Sequence, residues 1–228
     1  MKRKIILATA AATLLAAPSA FAQDSSPFAG PYVGVQIGAS QIESKHSDLD
    51  GWYWDARNSS QKDTGVQVGL KAGYDYASGP LLAGILAEAQ FGKVNSYAEY
   101  MPEDPSYEVG TKVTSLGSVR AKLGLTSGKL AAFATGGFAF SNAKYNYNET
   151  DTSNEYSNGK GDRSGYVIGA GLAYAVSPKS SIGVDVSRYN FGSRNFFLNR
   201  EDGTVMDDYR WKIKDRIESV TISYNLHF

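Results

Sequence analysis

The chain predicts an all-β fold: an eight-stranded antiparallel up-and-down transmembrane β-barrel. Three observations predict it. Apolar residues recur at every second position in eight separate segments. The connections between those segments alternate between tight turns and long polar stretches. The polar face of the alternation is small and glycine-rich, unlike a face that meets water.

The first 22 residues stand apart from this pattern. Lys2, Arg3 and Lys4 are followed by the apolar run Ile5 to Ala17, which is too short to cross a bilayer as a helix. Ala20-Phe21-Ala22 has the small-x-small form of a signal cleavage site, so residues 1–22 are expected to be removed and 23–228 to form the barrel domain. Of the 23 Lys and Arg, three lie in this leader, so 20 face 23 Asp and Glu in the remainder, a net charge of −3. That balance argues against a nucleic-acid surface. Without cysteine there is no disulfide and no thiolate metal site. No later stretch is apolar enough for a membrane helix, and mean hydropathy is −0.31. A barrel can be this polar because only alternate residues meet lipid.

The segments follow in order. In 31–40, Val33, Val35, Ile37 and Ala39 oppose Gly34, Gln36, Gly38 and Ser40. In 64–76, Val66, Val68, Leu70, Ala72, Tyr74 and Tyr76 oppose Gln67, Lys71 and Asp75. Segment 81–91 sets Leu81, Ile85 and Phe91 against Gly84, Glu88 and Gln90, with Leu82 and Leu86 weakening the pattern. Segment 113–125 sets Val119, Ala121, Leu123 and Leu125 against Ser118, Arg120 and Lys122. In 130–142 parity places Phe138 and Phe140 opposite Thr135, Gly137 and Ser141. Segment 165–176 sets Tyr166, Ile168, Leu172 and Tyr174 against glycines and alanine. Segment 181–191 sets Ile182, Val184 and Val186 against Gly183, Asp185 and Ser187. The last sets Val220, Ile222, Tyr224, Leu226 and Phe228 against Thr221, Ser223, Asn225 and His227.

ASGP (77–80), TSGK (126–129) and SPKS (177–180) are tight turns. The stretches 41–63, 92–112, 143–163 and 190–213 read as long loops. Short turns on one rim and long loops on the other match periplasmic and extracellular ends, with both termini periplasmic. In hydrocarbon every backbone polar group needs an internal partner, so the sheet must close. Glycine is costly in strands unless something approaches closely, which a crowded narrow lumen provides.

GSVRAKLGLTSGKLAAFATGGFAF (117–140) resembles a pattern of the small outer-membrane β-barrel family, the opacity-like and "porin family" proteins with OmpA- and OmpX-type barrels. PYVGVQIGAS, GYVIGAGLAYAVS and SVTISYNLHF are similar in style to the same family. The resemblance implies a location in the cell outer membrane. It also implies that Tyr224, Leu226 and Phe228 act as a C-terminal assembly signal read by the outer-membrane assembly machinery. With nothing after Phe228, no peptidoglycan-binding domain is expected.

The inward charges, Lys71, Asp75, Glu88, Arg120, Lys122 and Asp185, are expected to pair as a lumen network; the alternative is a selective pore lining. Lys45, Lys62, Lys93, Lys112, Lys144, Arg163, Arg188 and Lys214 fall near the outer strand ends and are expected to contact lipopolysaccharide phosphates; the plain alternative is that loop bases are polar. Tyr74, Tyr76, Tyr174, Tyr224 and Phe228 are expected in a lower aromatic girdle, and Phe91, Phe138, Phe140, Tyr166 and Phe191 in an upper one. Trp52, Tyr53 and Trp54, with Tyr97, Tyr100 and Tyr107, suit recognition of a host or matrix surface ligand, or simply loop packing.

His46 and His227 are the two histidines, and neither sits in a recognisable catalytic pattern. No cofactor, metal site, calcium loop or enzymatic activity is expected. The expected function is that of a structural surface protein supporting envelope integrity and cell-surface interactions. A small diffusion porin and an adhesin acting through extracellular loops are the alternatives.

Overall fold

The computed structural model describes residues 26–48, 59–101, 104–149, 154–199 and 205–228, with side chains for 26–45, 62–94, 112–144, 162–195 and 212–228. The leader with Ala20 and Ala22, the tip residues Trp52, Tyr53 and Trp54, and the side chains of His46, Tyr97, Tyr100 and Tyr107 lie outside what is described.

Eight strands follow one another: β1 (Gly30–Asp48), β2 (Ser59–Ser78), β3 (Leu81–Met101), β4 (Asp104–Ser127), β5 (Leu130–Glu149), β6 (Asn154–Ser177), β7 (Ser180–Asn199) and β8 (Val205–His227). Each pairs antiparallel with the next, and β8 pairs with β1 to close the barrel. Closure leaves no edge strand, as a sheet in lipid requires. Among the described residues no helix is long and apolar enough to cross a membrane; the crossing is made by strands.

The tight turns come from local chemistry. Gly79 and Gly128 begin two-residue hairpin connections with φ of 55° and 59°. Only glycine takes these angles freely, and Pro80 then supplies the fixed φ of the second turn position.

The apolar face points outward. Val68, Leu70, Ile168 and Ile222 are 55, 61, 55 and 55% exposed, where a dry-centred barrel would bury them. Small residues let the opposite face close over the lumen. A Cβ on Gly137 would run into the carbonyl of Val119 and lie 2.7 Å from Cα of Arg120, its register partner. Gly137→Ala is therefore expected to cost about 1–3 kcal/mol by overpacking. Urea unfolding of the barrel in lipid vesicles measures this, and an unchanged midpoint would contradict the assigned close approach.

The four long loops are a correction. The strands are 19 to 24 residues long and stay paired deep into segments 41–63, 92–112, 143–163 and 190–213. His46 pairs with Ser59, Glu149 with Asn154 and Asn199 with Val205. These extensions invert the polarity of the barrel. On β8 the outward residues from Val220 to Phe228 are apolar and the inward Thr221, Ser223 and Asn225 are polar. Farther out, the outward positions become Glu218, Lys214 and Lys212, while inward Ile217 and Ile213 are buried. β1 does the same: Val35 and Ile37 give way to Gln41 and Lys45 outside, and Ile42 is buried inside. Lipid outside requires an apolar exterior; water outside requires an apolar interior. The inversion marks where the barrel leaves the membrane.

Phe191 is a second correction. It is 5% exposed, points inward and stacks on Tyr189 with ring centroids 6.5 Å apart, so it is not part of the outer aromatic girdle. Its parity on β7 opposes that of Val186, which faces out. Phe91, Phe138, Phe140 and Tyr166 do face outward at the upper end, and Tyr76, Tyr174, Tyr224 and Phe228 at the lower.

Candidate functional site

The interior of the membrane-spanning half is a charged layer built by β2, β3, β4 and β7. Alternation aims Lys71 and Asp75 inward from β2, Glu88 from β3, Arg120 and Lys122 from β4, and Asp185 from β7. Arg120, 2% exposed, is the hub. Its Nη2 donates to Glu88 in a very close ion pair, and its Nη1 reaches Asp185 Oδ1 at 3.3 Å. Nη1 also donates to Ser187 Oγ at 2.8 Å and Thr135 Oγ1 at 3.2 Å, and Nε donates to Ser118 Oγ at 3.0 Å. Glu88 accepts a further bond from the Tyr189 hydroxyl at 2.5 Å. Every donor direction of the guanidinium is therefore used, as a buried cation requires.

Lys122 forms the second pair. Its Nζ lies 2.7 Å from Asp75 Oδ2 and donates to the Tyr32 hydroxyl at 2.9 Å. The same ammonium lies 4.6 Å from the Tyr32 ring centroid and 5.0 Å from that of Phe133. The pairing is uneven. Arg120 takes two carboxylates, and Lys71, although opposite Glu88 in register, donates to Ser223 Oγ at 3.3 Å.

Apolar layers lie on both sides. Toward the periplasm, Phe28, Ala77, Leu82, Ala131 and Ala175 form a floor. On the other side Ile42, Val94, Val113, Leu116, Val167 and Ile217 form a second core. A further buried ion pair sits in this outer core: Arg163 Nη1 lies 3.1 Å from Asp215 Oδ2, and Asp215 Oδ1 accepts from Ser44 Oγ at 2.6 Å. Between floor and core there remains a cavity of about 30 Å³ beside Lys71, Asp75, Arg120 and His227, room for little more than a water or two.

Arg163 is thus displaced from the role read for it. It is 4% exposed and faces the interior, held also by the carbonyls of Phe191 and Gly192, so it cannot meet a lipid headgroup. Lys45, Lys62, Lys93, Lys144, Arg188 and Lys214 are exposed, and Lys112 is half-buried. Arg188 projects from the end of the apolar belt and pairs with Glu218 at 2.7 Å directly across β7 and β8. Asp215, Tyr189 and the outer apolar core escaped the reading of the sequence. Their signal is the continuing alternation of Ile213, Asp215 and Ile217, with its inside and outside exchanged.

His227 lies inside the periplasmic end. Its Nε2 is 2.9 Å from Ser181 Oγ, and its ring packs edge-on to Phe28. Ser181 is 1% exposed and its oxygen also accepts from Asn225 Nδ2 at 3.3 Å. Among the described residues His227 Nδ1 has no hydrogen-bond partner. Among the described residues no group of His, Asp or Glu is arranged to hold a metal ion.

The model of the "Outer membrane protein beta-barrel domain" family matches residues 7–228. The chain is 25% identical over 189 residues to the 31 kDa outer-membrane immunogenic protein of Brucella melitensis biotype 1, covering 78% of each, and equally to that of Brucella suis biovar 1. Among solved structures it resembles the outer membrane protease OmpT of Escherichia coli, with a TM-score of 0.55 at 11% identity over 87% of this chain and 97% of that one. It also resembles OprG of Pseudomonas aeruginosa, with a TM-score of 0.51 at 12% identity over 88 and 97%. At such identities the two structures speak for the fold alone. The family match, the closed lipid-facing barrel and the outer-membrane relatives lead to one conclusion: this chain belongs to the outer membrane protein β-barrel domain family and resides in the outer membrane.

Proposed function

We propose that the protein is a closed, structural surface barrel that supports the envelope and carries extracellular loops, and that it neither conducts solutes nor catalyses a reaction. The observation that carries this reading is the stacking of a charged layer between two apolar ones, with a cavity of only about 30 Å³ left between them. An eight-stranded lumen has room for side chains and little else. A diffusing solute would have to break the Arg120 and Lys122 pairs and also part the apolar core above them. The enclosed Ser181 and His227 offer no access to a substrate. Tyr224, Leu226 and Phe228, exposed on the outer face of β8, are the surface offered to the assembly machinery.

Single-channel recording of the refolded barrel tests the reading. No steady openings are expected from the wild-type protein. Steady openings that disappear when Lys71 or Arg120 is replaced would establish the porin instead.

A further inference from the structure

The chain makes a turn before it enters β1. Within residues 26–29, the Ala29 N–H donates to the Ser26 carbonyl at 3.1 Å and the Phe28 N–H to Ser26 Oγ at 3.5 Å. Gly30 then carries the chain over the rim with a φ of 103°, an angle that residues with a side chain rarely adopt. A Cβ there would also lie 2.8 Å from the carbonyl oxygen of Phe228. This path aims Phe28 into the lumen. Its ring is 2% exposed and lies among Ala77, Leu82, Ala131 and Ala175, with the His227 ring edge-on at 6.2 Å. The other four residues of this apolar floor belong to paired strands, and Phe28 does not.

That difference decides how the floor can move. The hydrogen bonds described for residues 26–29 stay within the turn, and the ladders to β2 and β8 begin at Gly30 and Tyr32. The turn is held on the barrel by apolar burial, that of the Phe28 ring with Ala29 beside it. Burying one such side chain favours the seated arrangement by a factor of about 10 to 150. A floor residue on a strand, by contrast, leaves only if the sheet opens. Behind the ring lies the cavity of about 30 Å³, with Phe28 itself in its wall. Along it His227, Ser181, Asn225, Ser223 and Lys71 form one chain of hydrogen bonds, of 2.9, 3.3, 3.5 and 3.3 Å in that order. We propose that Phe28 is a releasable stopper. Seated, it seals the periplasmic end of the lumen. Swung out about Gly30, it opens a polar vestibule that admits water and small polar molecules as far as the charged layer. The outer core at Ile42 and Ile217 is a separate cluster and stays shut in both states. The stopper governs the periplasmic half alone, so this proposal and the closure of the whole barrel can fail separately.

The sequence has no cysteine, so a single introduced thiol reports access. Ser181→Cys places one behind the stopper, at a position 1% exposed, and Ser40→Cys places one two residues from Ile42 of the outer core, at a position 0% exposed. Each barrel is refolded into lipid nanodiscs, where both ends meet solvent, and alkylated with iodoacetamide, with mass spectrometry as the readout. With Phe28 intact, Ser181→Cys is expected to react at least about fivefold faster than Ser40→Cys, because the turn lifts locally and the outer core does not. Adding Phe28→Ala should raise the Ser181→Cys rate at least about tenfold, the factor that burial of the ring supplies. Gly30→Val keeps the ring but denies the hinge its angle, and should raise the rate by a similar factor. Phe28→Leu keeps an apolar side chain of similar size and should stay within about threefold of the intact barrel. The Ser40→Cys rate should respond to none of these changes. Equal rates at the two thiols with Phe28 intact would make the floor a fixed wall and overturn the proposal. So would an unchanged Ser181→Cys rate in Phe28→Ala or Gly30→Val, or an equal rise at Ser40→Cys, which would mean that the whole barrel had loosened. Heat-modifiable gel migration shows whether each variant has folded. Should Phe28→Ala fail to fold, Gly30→Val with its intact ring carries the same comparison.

Discussion

Replacing Arg120 with Met is expected to destabilise the barrel by about 3–5 kcal/mol. The guanidinium is enclosed and serves Glu88 and Asp185 at once. Without it two carboxylates remain buried near each other, and the hydroxyls of Ser118, Thr135 and Ser187 lose a donor. Lys71 stands opposite Glu88 and can recover only part of that loss. Removing the charges together is a different matter. A triple variant, Arg120→Met with Glu88→Gln and Asp185→Asn, removes the hub with both of its carboxylates and should regain part of the lost stability, because a buried ion pair is a weak net stabiliser once its desolvation is counted; Lys71 then loses the carboxylate opposite it in register, which keeps the recovery incomplete. Urea unfolding in lipid vesicles, followed by tryptophan fluorescence and gel migration, gives both values. A loss below about 1 kcal/mol in the single variant would mean that the network does not hold the lumen together. The triple variant also separates two sources of closure. It should stay non-conducting, since the apolar floor at Phe28 and Leu82 and the outer core at Ile42 and Ile217 do not depend on the charges.

Much of this site was legible in the alternation. Lys71, Asp75, Glu88, Arg120, Lys122 and Asp185 share the parity opposite to the lipid-facing residues, and a barrel this narrow has to bring inward charges from neighbouring strands within reach. The partner of each charge was not legible, because parity fixes the face and says nothing about height. Arg120 spans from β3 to β7, while Lys71 sits directly beside Glu88 in register yet contacts Ser223. The outer third was misread for a specific physical reason. Segments such as QIESK and KIKDRIE present charges at lipid-facing parity, which ends a transmembrane pattern. Those charges mark the water line and not the strand end. Arg163 followed from the same misreading, because a residue assigned to a loop has no parity to consult; Phe191 was placed by its height at the end of segment 181–191, although it shares the inward parity of Gly183 and Asp185.

Two isoleucines on β8, five residues apart, should respond to different environments. Ile222 faces outward, 55% exposed, in the middle of the apolar run that ends at Phe228. Ile222→Arg is expected to cost about 2–4 kcal/mol, the depth-dependent penalty of a cation on the lipid face. Ile217 is 1% exposed and faces inward among Ile42, Ile213 and Tyr189. Ile217→Ala is expected to cost about 2–4 kcal/mol for a different reason, lost burial and an unfilled cavity in a dry core. Bilayer thickness tells the two apart. A thinner hydrocarbon layer brings position 222 closer to the headgroups, so the Arg penalty should shrink toward about 0–1 kcal/mol. The cavity at position 217 lies beyond the hydrocarbon and touches no lipid, so its cost should stay the same in every bilayer. Measuring both variants by urea unfolding in vesicles of short and long acyl chains reads this directly. A thickness-dependent cost at Ile217, or a constant one at Ile222, would move the water line away from the row of Glu218 and Arg188, and with it the division of this barrel into a lipid-facing half and a water-facing one.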